Sequence, residues 1–223
     1  APDGEVVEKG GIAQRLRTAH AASQDARRVF TCIGCAAGTT LGANAATRFE
    51  ASNALITAAM LGTTEPGRPT ERDDLIAWVR GADNRGDELG PGGSTTVRPS
   101  VHGDVLHSRP AVVDYGGSTG TVVFYGSNDG TLRAVDGNRT GPTPGQELWA
   151  FVPSEFLGRF KRLRDNTPEV RFPVTPPAAV TLPRDYFVDG TVTVYQKLDE
   201  SRRTERAVIY VAMRRGGRMR HAF

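Results

Sequence analysis

The sequence predicts a mainly β protein with a helix-containing N-terminal region. Residues 1–82 are rich in alanine and contain few β-branched runs, whereas residues 101–223 alternate short apolar runs with turn residues. Residues 83–100 are polar and dense in glycine and proline, which indicates a loop or linker. We therefore expect three parts: a helical or irregular region, a linker and a β region.

Three stretches of the N-terminal region carry helix-forming residues: 10–22, 48–61 and 70–82. The last is the clearest. Thr70 can cap its N-terminus, and the acidic residues that follow suit the positive end of the helix dipole. Gly81 supplies a stop, so we expect one helix between these two residues.

Four short strands begin the β region. They are predicted at residues 110–116, 121–127, 131–137 and 147–153. Asn128-Asp129-Gly130 lies between the second and third, and these residue types favour a tight hairpin turn. Four strands in about 45 residues are typical of one antiparallel blade of a β-propeller.

Residues 154–165 predict an amphipathic helix with Ser154 as its N-cap, and further strands follow at residues 185–190, 192–196 and 207–214. A closed propeller needs at least about four blades of roughly 40 to 45 residues each. The β region has room for two or three. We therefore expect a partial β-propeller of two to three four-stranded antiparallel blades, and a chain that is a fragment of a longer protein.

Composition excludes some classes of partner. There are 28 basic and 25 acidic residues, and the basic ones cluster late in the chain. No recognised nucleic-acid motif accompanies them, so we interpret them as a solvated surface and expect no nucleic-acid partner. No apolar run approaches the roughly 20 residues of a membrane-spanning helix. The N-terminus also lacks the pattern of a signal peptide.

The two cysteines form the motif Cys32-Ile33-Gly34-Cys35. Its flanks are rich in glycine and alanine, which suits a loop better than the helix N-terminus of a redox motif. A structural zinc site would need a second pair of ligands of this kind. Two alternatives remain: a disulfide in an oxidising compartment, or two inert thiols in the cytosol.

Two groups of polar residues are candidates for sites of chemistry. His102, Asp104, His107 and Ser108 lie close together in sequence, but the spacing of the two histidines suits neither a helical nor a strand metal site. No nucleophile elbow accompanies the serine. We expect Asp104 and His107 to hydrogen-bond the backbone, and we assign no catalytic, cofactor-binding or metal-binding residue.

The second group is the turn at residues 136–147, which partly fits a calcium-binding loop. Asp136, Asn138, Thr140 and Glu147 occupy ligand positions, with Gly141 at the conserved turn position. However, threonine is an unusual ligand there, prolines interrupt the loop, and no helices flank it. The pattern favours a structural turn, with calcium as the alternative.

A tripeptide in the predicted linker, Arg85-Gly86-Asp87, matches the motif that integrins recognise. Three residues recur often by chance, so this match is a hypothesis that depends on the exposure of the loop.

Six phrases, taken in order, carry a resemblance to a known family. They are "ERDDLIAWVRGADNR", "RPSVHGDVLHSRPAVVDYG", "VFYGSNDGTLRAVDG", "ELWAFVPSEFLGRFKRLRDNTP", "YFVDGTVTVYQ" and "VAMRRGGR". Together they resemble the C-terminal β-propeller region of PilY/PilC-type proteins, the assembly factors and tip-associated adhesins of type IV pili. The resemblance implies a quinoprotein-like propeller on a bacterial cell surface, at a pilus tip or in the outer membrane, reached through the periplasm.

The resemblance also implies a non-catalytic role in pilus assembly, adhesion and twitching motility. Its partners would be pilin or minor pilins, the pilus machinery, and a host or abiotic surface. Some members bind calcium in a loop after the "VYQ" strand, but here that place reads "KLDESRRTER", and "MRHAF" replaces the expected continuation at the end. The alternative is a blade fragment of a quinone (PQQ)-dependent dehydrogenase, whose blades carry similar phrases.

Overall fold

The computed structural model describes residues 11–86, 97–170 and 182–223. Its helices are α1 (Gly11–Ala19), α2 (Ala58–Leu61), α3 (Glu71–Arg80) and α4 (Phe160–Asp165), with short 3₁₀ helices at Ala45–Thr47, Ser154–Arg159 and Arg214–Gly216. Its strands are β1 (Val29–Thr31), β2 (Ala111–Asp114), β3 (Thr121–Gly126), β4 (Leu132–Asp136), β5 (Glu147–Val152), β6 (Val192–Leu198), β7 (Thr204–Ala212) and β8 (Arg220–Ala222). No helix in these ranges has the length and apolar character needed to cross a membrane.

The strands form two sheets. The first has five strands in the order β1-β5-β4-β3-β2, and the second has three in the order β6-β7-β8. The four strands predicted from residue 110 onward are confirmed, and they pair antiparallel in sequence order. In β3 every second residue is buried, because successive side chains of a strand point to opposite faces of the sheet.

The predicted partial propeller of four-stranded antiparallel blades is wrong. In the first sheet, β1 comes from the N-terminal region and pairs in parallel with β5, in the register Val29 to Ala150. All three residues of β1 are buried, so the free edge of β5 gains an apolar strand and the sheet becomes mixed.

Within the described residues the second sheet has three strands, and the predicted strand at residues 185–190 does not form. Phe187 is instead fully buried, and its N–H donates to the side-chain oxygen of Asn128 at 3.1 Å. This backbone group is satisfied by a side chain, so that segment forms no ladder.

The helix α3 is confirmed. Gly81 ends it with a φ of 116°, and its N–H bonds to the carbonyl groups of Ala77 and Trp78. The Thr70 hydroxyl lies 2.9 Å from an Asp74 carboxylate oxygen and makes no capping bond. The longer helix predicted in residues 48–61 is wrong, because only the short α2 is helical there and the preceding residues form turns.

Residues 154–165 are helical as predicted, but they form a 3₁₀ helix that continues into α4. The predicted capping role of Ser154 is wrong, since Pro153 occupies the N-cap position and no side chain caps that end.

One core joins the N-terminal helices to both sheets. Phe160 on α4 stacks on Phe187 with ring centroids 5.6 Å apart, and it meets Phe49 edge-on at 6.1 Å. All three side chains are fully buried. Ion pairs also cross from residues 1–82 to the β region, including Glu65 with Lys161 and Glu71 with Arg164. The three-part division itself stays a prediction.

Candidate functional site

The turn between β3 and β4 is buried and held by one carboxylate. Asp129 accepts hydrogen bonds from the N–H of Gly103 at 2.7 Å and of Thr131 at 3.1 Å. The hydroxyl groups of Ser127 and Thr131 donate to it at 2.9 and 2.6 Å. Asp129 is thus the centre of a closed hydrogen-bonded turn, and its oxygens are directed inward.

Two glycines allow this turn to pack closely. Gly130 has a φ of 97°, and a Cβ there would lie 2.4 Å from the Phe160 ring. A Cβ on Gly103 would lie 2.4 Å from the backbone nitrogen of Asp129. The neighbouring Asn128 bonds through its N–H to the carbonyl of Asp104 at 3.0 Å. The turn therefore joins residues 103–104 to the sheet.

Behind the turn lies a buried charge network, which we define as Arg27, Asp129, Arg133 and Glu147. Arg27 binds both carboxylate oxygens of Glu147, at 2.7 and 2.9 Å. Arg133 bridges the two acids: it binds Asp129 at 2.6 Å and makes a second ion pair with Glu147. Its side chain is fully buried, and both acids are nearly so. The network joins the N-terminal region to β4 and β5.

The network fixes the charge of its members. Burial alone would raise the pKa of Asp129 and of Glu147, but Arg133 lowers the first and Arg27 with Arg133 lowers the second. The pKa of Asp129 falls well below its usual range, and that of Glu147 falls to about 2. Burial lowers the pKa of Arg133, yet the two carboxylates raise it above its ordinary value. These groups stay ionised and paired near neutral pH.

A neutral pair borders this network. His102 Nε2 and the Tyr125 hydroxyl are 2.7 Å apart. Burial, and next the Arg133 charge, lower the pKa of His102 to about 4, and burial raises the pKa of Tyr125. Both groups are therefore uncharged near neutral pH, and the pair adds a hydrogen bond without adding a buried charge.

The structure does not bring the four candidate catalytic residues together at one site; they are His102, Asp104, His107 and Ser108. His102 binds Tyr125, and Asp104 forms an ion pair with Arg184 at 2.6 Å. The Ser108 hydroxyl accepts the Gly126 N–H at 2.8 Å. The expectation that the side chains of Asp104 and His107 bind backbone is wrong, since both contact side chains.

His107 has the one histidine–carboxylate contact of this group. Its Nδ1 lies 2.8 Å from Asp189, whose side chain is fully buried, while the imidazole is 27% exposed. Asp189 thus holds the ring through Nδ1. Ser108 and His107, both within the described residues, share no hydrogen bond, so with Asp189 they do not form a serine–histidine–aspartate triad.

The residues of the predicted calcium loop bind different partners and do not converge on a common point. One Asp136 oxygen accepts from the Asn138 N–H and amide, at 2.9 and 2.8 Å, and the other accepts the Thr143 hydroxyl at 2.6 Å. Glu147 belongs to the charge network, and Thr140 is exposed. Among the residues described, no three histidine, cysteine or acidic side chains are arranged to hold a metal ion.

Cys32 and Cys35 are joined in a disulfide. In the predicted integrin motif, Arg85 pairs with Asp165 at 2.7 Å, and Asp87 lies outside the described residues.

Sequence reasoning missed Arg27 and Arg133, which organise the network. A signal was present for Arg133, because it interrupts an apolar strand four residues after an acid. A charged residue at a buried strand position calls for a partner.

Comparison of the chain with protein-family models, with curated proteins and with solved structures gave no significant match.

Proposed function

We propose that the chain is a non-catalytic component of type IV pilus assembly that acts as an assembly factor and adhesin on a bacterial cell surface. Six phrases in the same order as in PilY/PilC-type proteins carry this proposal. Its partners are pilin or minor pilins, the pilus machinery and the surface to which the cell attaches.

The contacts between these phrases support the proposal. Gly103, from the second phrase, binds Asp129 in the third, and Glu147, which begins the fourth, binds Arg133 in the third. The second, third and fourth phrases are thus packed against one another in one unit of the fold.

The charge network is suited to holding the fold together and not to proton transfer, which agrees with a non-catalytic role for this part of the chain. An acid–base catalyst needs a group that gains and loses a proton near the working pH. The carboxylates of the network stay ionised, and their guanidinium partners do not release a proton. The disulfide between Cys32 and Cys35 suits secretion through an oxidising periplasm.

Deletion of the coding sequence in the bacterium that carries it, followed by complementation, tests the proposal. We expect fewer surface pili in sheared fractions, smaller twitching zones and weaker attachment, all restored by the wild-type gene. Unchanged pili, twitching and attachment would refute the proposal. A purified chain that oxidises alcohols or sugars with added quinone cofactor and calcium would establish the dehydrogenase instead.

A further inference from the structure

The second sheet has an open edge along β6. Within the described ranges, β6 pairs with β7 alone, and β7 pairs on its other side with β8. Ile209 of β7 exchanges both backbone hydrogen bonds with Phe223, on the β8 side. Neighbouring residues of an antiparallel strand alternate in the side to which their peptide groups point, so Val208 bonds toward β6.

The same alternation identifies the free backbone groups. Val208 faces Tyr195, which therefore uses its N–H and C=O within the sheet. The peptide groups of Val194 and Gln196 point the other way, toward the open edge. The N–H of Val192 confirms this direction, because it donates outward to the carbonyl of Arg109 at 3.2 Å. Beyond that bond, the outward peptide groups of Val194 and Gln196 have no backbone partner among the described residues, so they can pair with a further strand.

The outward side of this sheet combines aromatic and basic side chains. We call it the tyrosine face, made of Tyr195, Lys197, Arg206, Tyr210 and Arg220. Tyr195 and Tyr210 are 61% and 47% exposed, and the three basic residues are also exposed. Side chains two residues apart on a strand share a face, and register places Tyr210 opposite Thr193, which lies on the same face as Tyr195.

The charges of this face are poorly balanced. Lys197 lies directly opposite Arg206 on the neighbouring strand, and like charges in that position are destabilising. Glu205 pairs with Lys197 at 2.6 Å, which offsets one of the two. Arg206 and Arg220 make no ion pair with the residues that the structure describes. An added negative charge would therefore be favourable here.

These features select among possible partners. A second copy of the chain added edge to edge would bring two basic faces together, which Coulomb repulsion disfavours. A nucleic acid could stack on the tyrosines but would not continue a ladder of backbone N–H and C=O groups. An extended polypeptide does both: it pairs with the edge, and its alternate side chains lie over the face.

We propose that the β6 edge binds an acidic polypeptide segment in extended conformation. The segment adds as a strand beside Val194 and Gln196, with its carboxylates toward Lys197 and Arg206. This proposal does not depend on a role in pili, so its test is independent of the test of the proposed function.

Fluorescence anisotropy with a labelled decapeptide of alternating glutamate and valine tests the proposal on the whole chain. We expect saturable binding, and binding at least about tenfold weaker to a matched lysine–valine peptide. Gln196→Pro removes an edge N–H without breaking the β6–β7 ladder, so we expect about tenfold weaker binding. The control Gln196→Ala keeps that N–H and should bind like the wild type.

The melting temperature of Gln196→Pro shows whether the proline disturbs folding. If it does, a second variant still tests the proposal. Arg206→Glu reverses an exposed charge and should weaken acidic-peptide binding about tenfold, whereas Arg139→Glu, exposed on a turn of the first sheet, should not. Equal binding of both peptides, or equal affinity of the Gln196 variants, would overturn the proposal. So would tighter binding of an oligothymidylate, or a dimer in sedimentation that Gln196→Pro abolishes.

Discussion

Replacing Glu147 by glutamine removes one charge from the buried network and keeps the shape of the side chain. Arg27 would lose both of its contacts with a carboxylate, and Arg133 would keep only Asp129. Breaking a buried ion pair by removing one partner costs about 3–5 kcal/mol, because the remaining charge is left without compensation. We expect Glu147→Gln to lower the free energy of unfolding near neutral pH by that amount.

The titration of Glu147 gives an independent magnitude. Its pKa is about 2, against an ordinary value of 4.5, which corresponds to about 3 kcal/mol of stability from the ionised form. Because the folded state has the lower pKa, this contribution is complete above about pH 4.5 and is lost as the pH falls toward 2. Glutamine does not titrate, so the difference between variant and wild type should shrink across that range.

Urea titrations near pH 7 and near pH 3, followed by tryptophan fluorescence and far-ultraviolet circular dichroism, measure both effects. Glu200→Gln, on the exposed hairpin between β6 and β7, is the matched control and should change stability by less than about 0.5 kcal/mol. A Glu147→Gln variant as stable as the control near pH 7 would refute the reasoning. So would a loss of equal size at both pH values.

Two further predictions concern the turns beside the network. Gly103→Ala should lower the free energy of unfolding by about 1–3 kcal/mol, because its Cβ would meet the Asp129 backbone. The control Gly158→Ala should be tolerated, since its Cβ would be 3.5 Å from the nearest atom. Equal melting temperatures of the two variants would contradict the prediction for Gly103. Asp136→Ala should lower the free energy of unfolding by about 1–2 kcal/mol, because the hydrogen bonds of the carboxylate are lost. Millimolar calcium should leave the melting temperatures of wild type and variant unchanged. A rise in melting temperature confined to the wild type would restore the calcium hypothesis.

The sequence was sufficient to predict those elements whose structure is determined by neighbouring residues. Two short apolar runs and the turn residues Asn128 to Gly130 between them predicted the β3–β4 hairpin, and Gly81 predicted the end of α3. In each case the residues that determine the element lie within it or next to it, so they can be recognised from the sequence alone.

What the sequence did not reveal depends on distant partners. Arg27 and Glu147 are 120 residues apart, and nothing near either residue indicates the other. β1 is only three residues long, and it is a strand because the edge of β5 receives it. Asp129 was predicted only as a turn residue, and its burial depends on Gly103 and Arg133, which bind it from outside the turn.

The parallel pairing of β1 with β5 has a consequence for the order of folding. Strands β2 to β5 can assemble from contacts between neighbours in the sequence, whereas Thr31 contacts Val152 across 121 residues. Closing so long a loop costs entropy that is recovered only when the receiving edge already exists. We therefore expect β1 to add to a preformed sheet, which cannot happen during synthesis before residue 152 has left the ribosome. Before β1 pairs, its apolar residues are exposed to non-native partners, and once β5 has formed its unpaired edge is exposed in the same way.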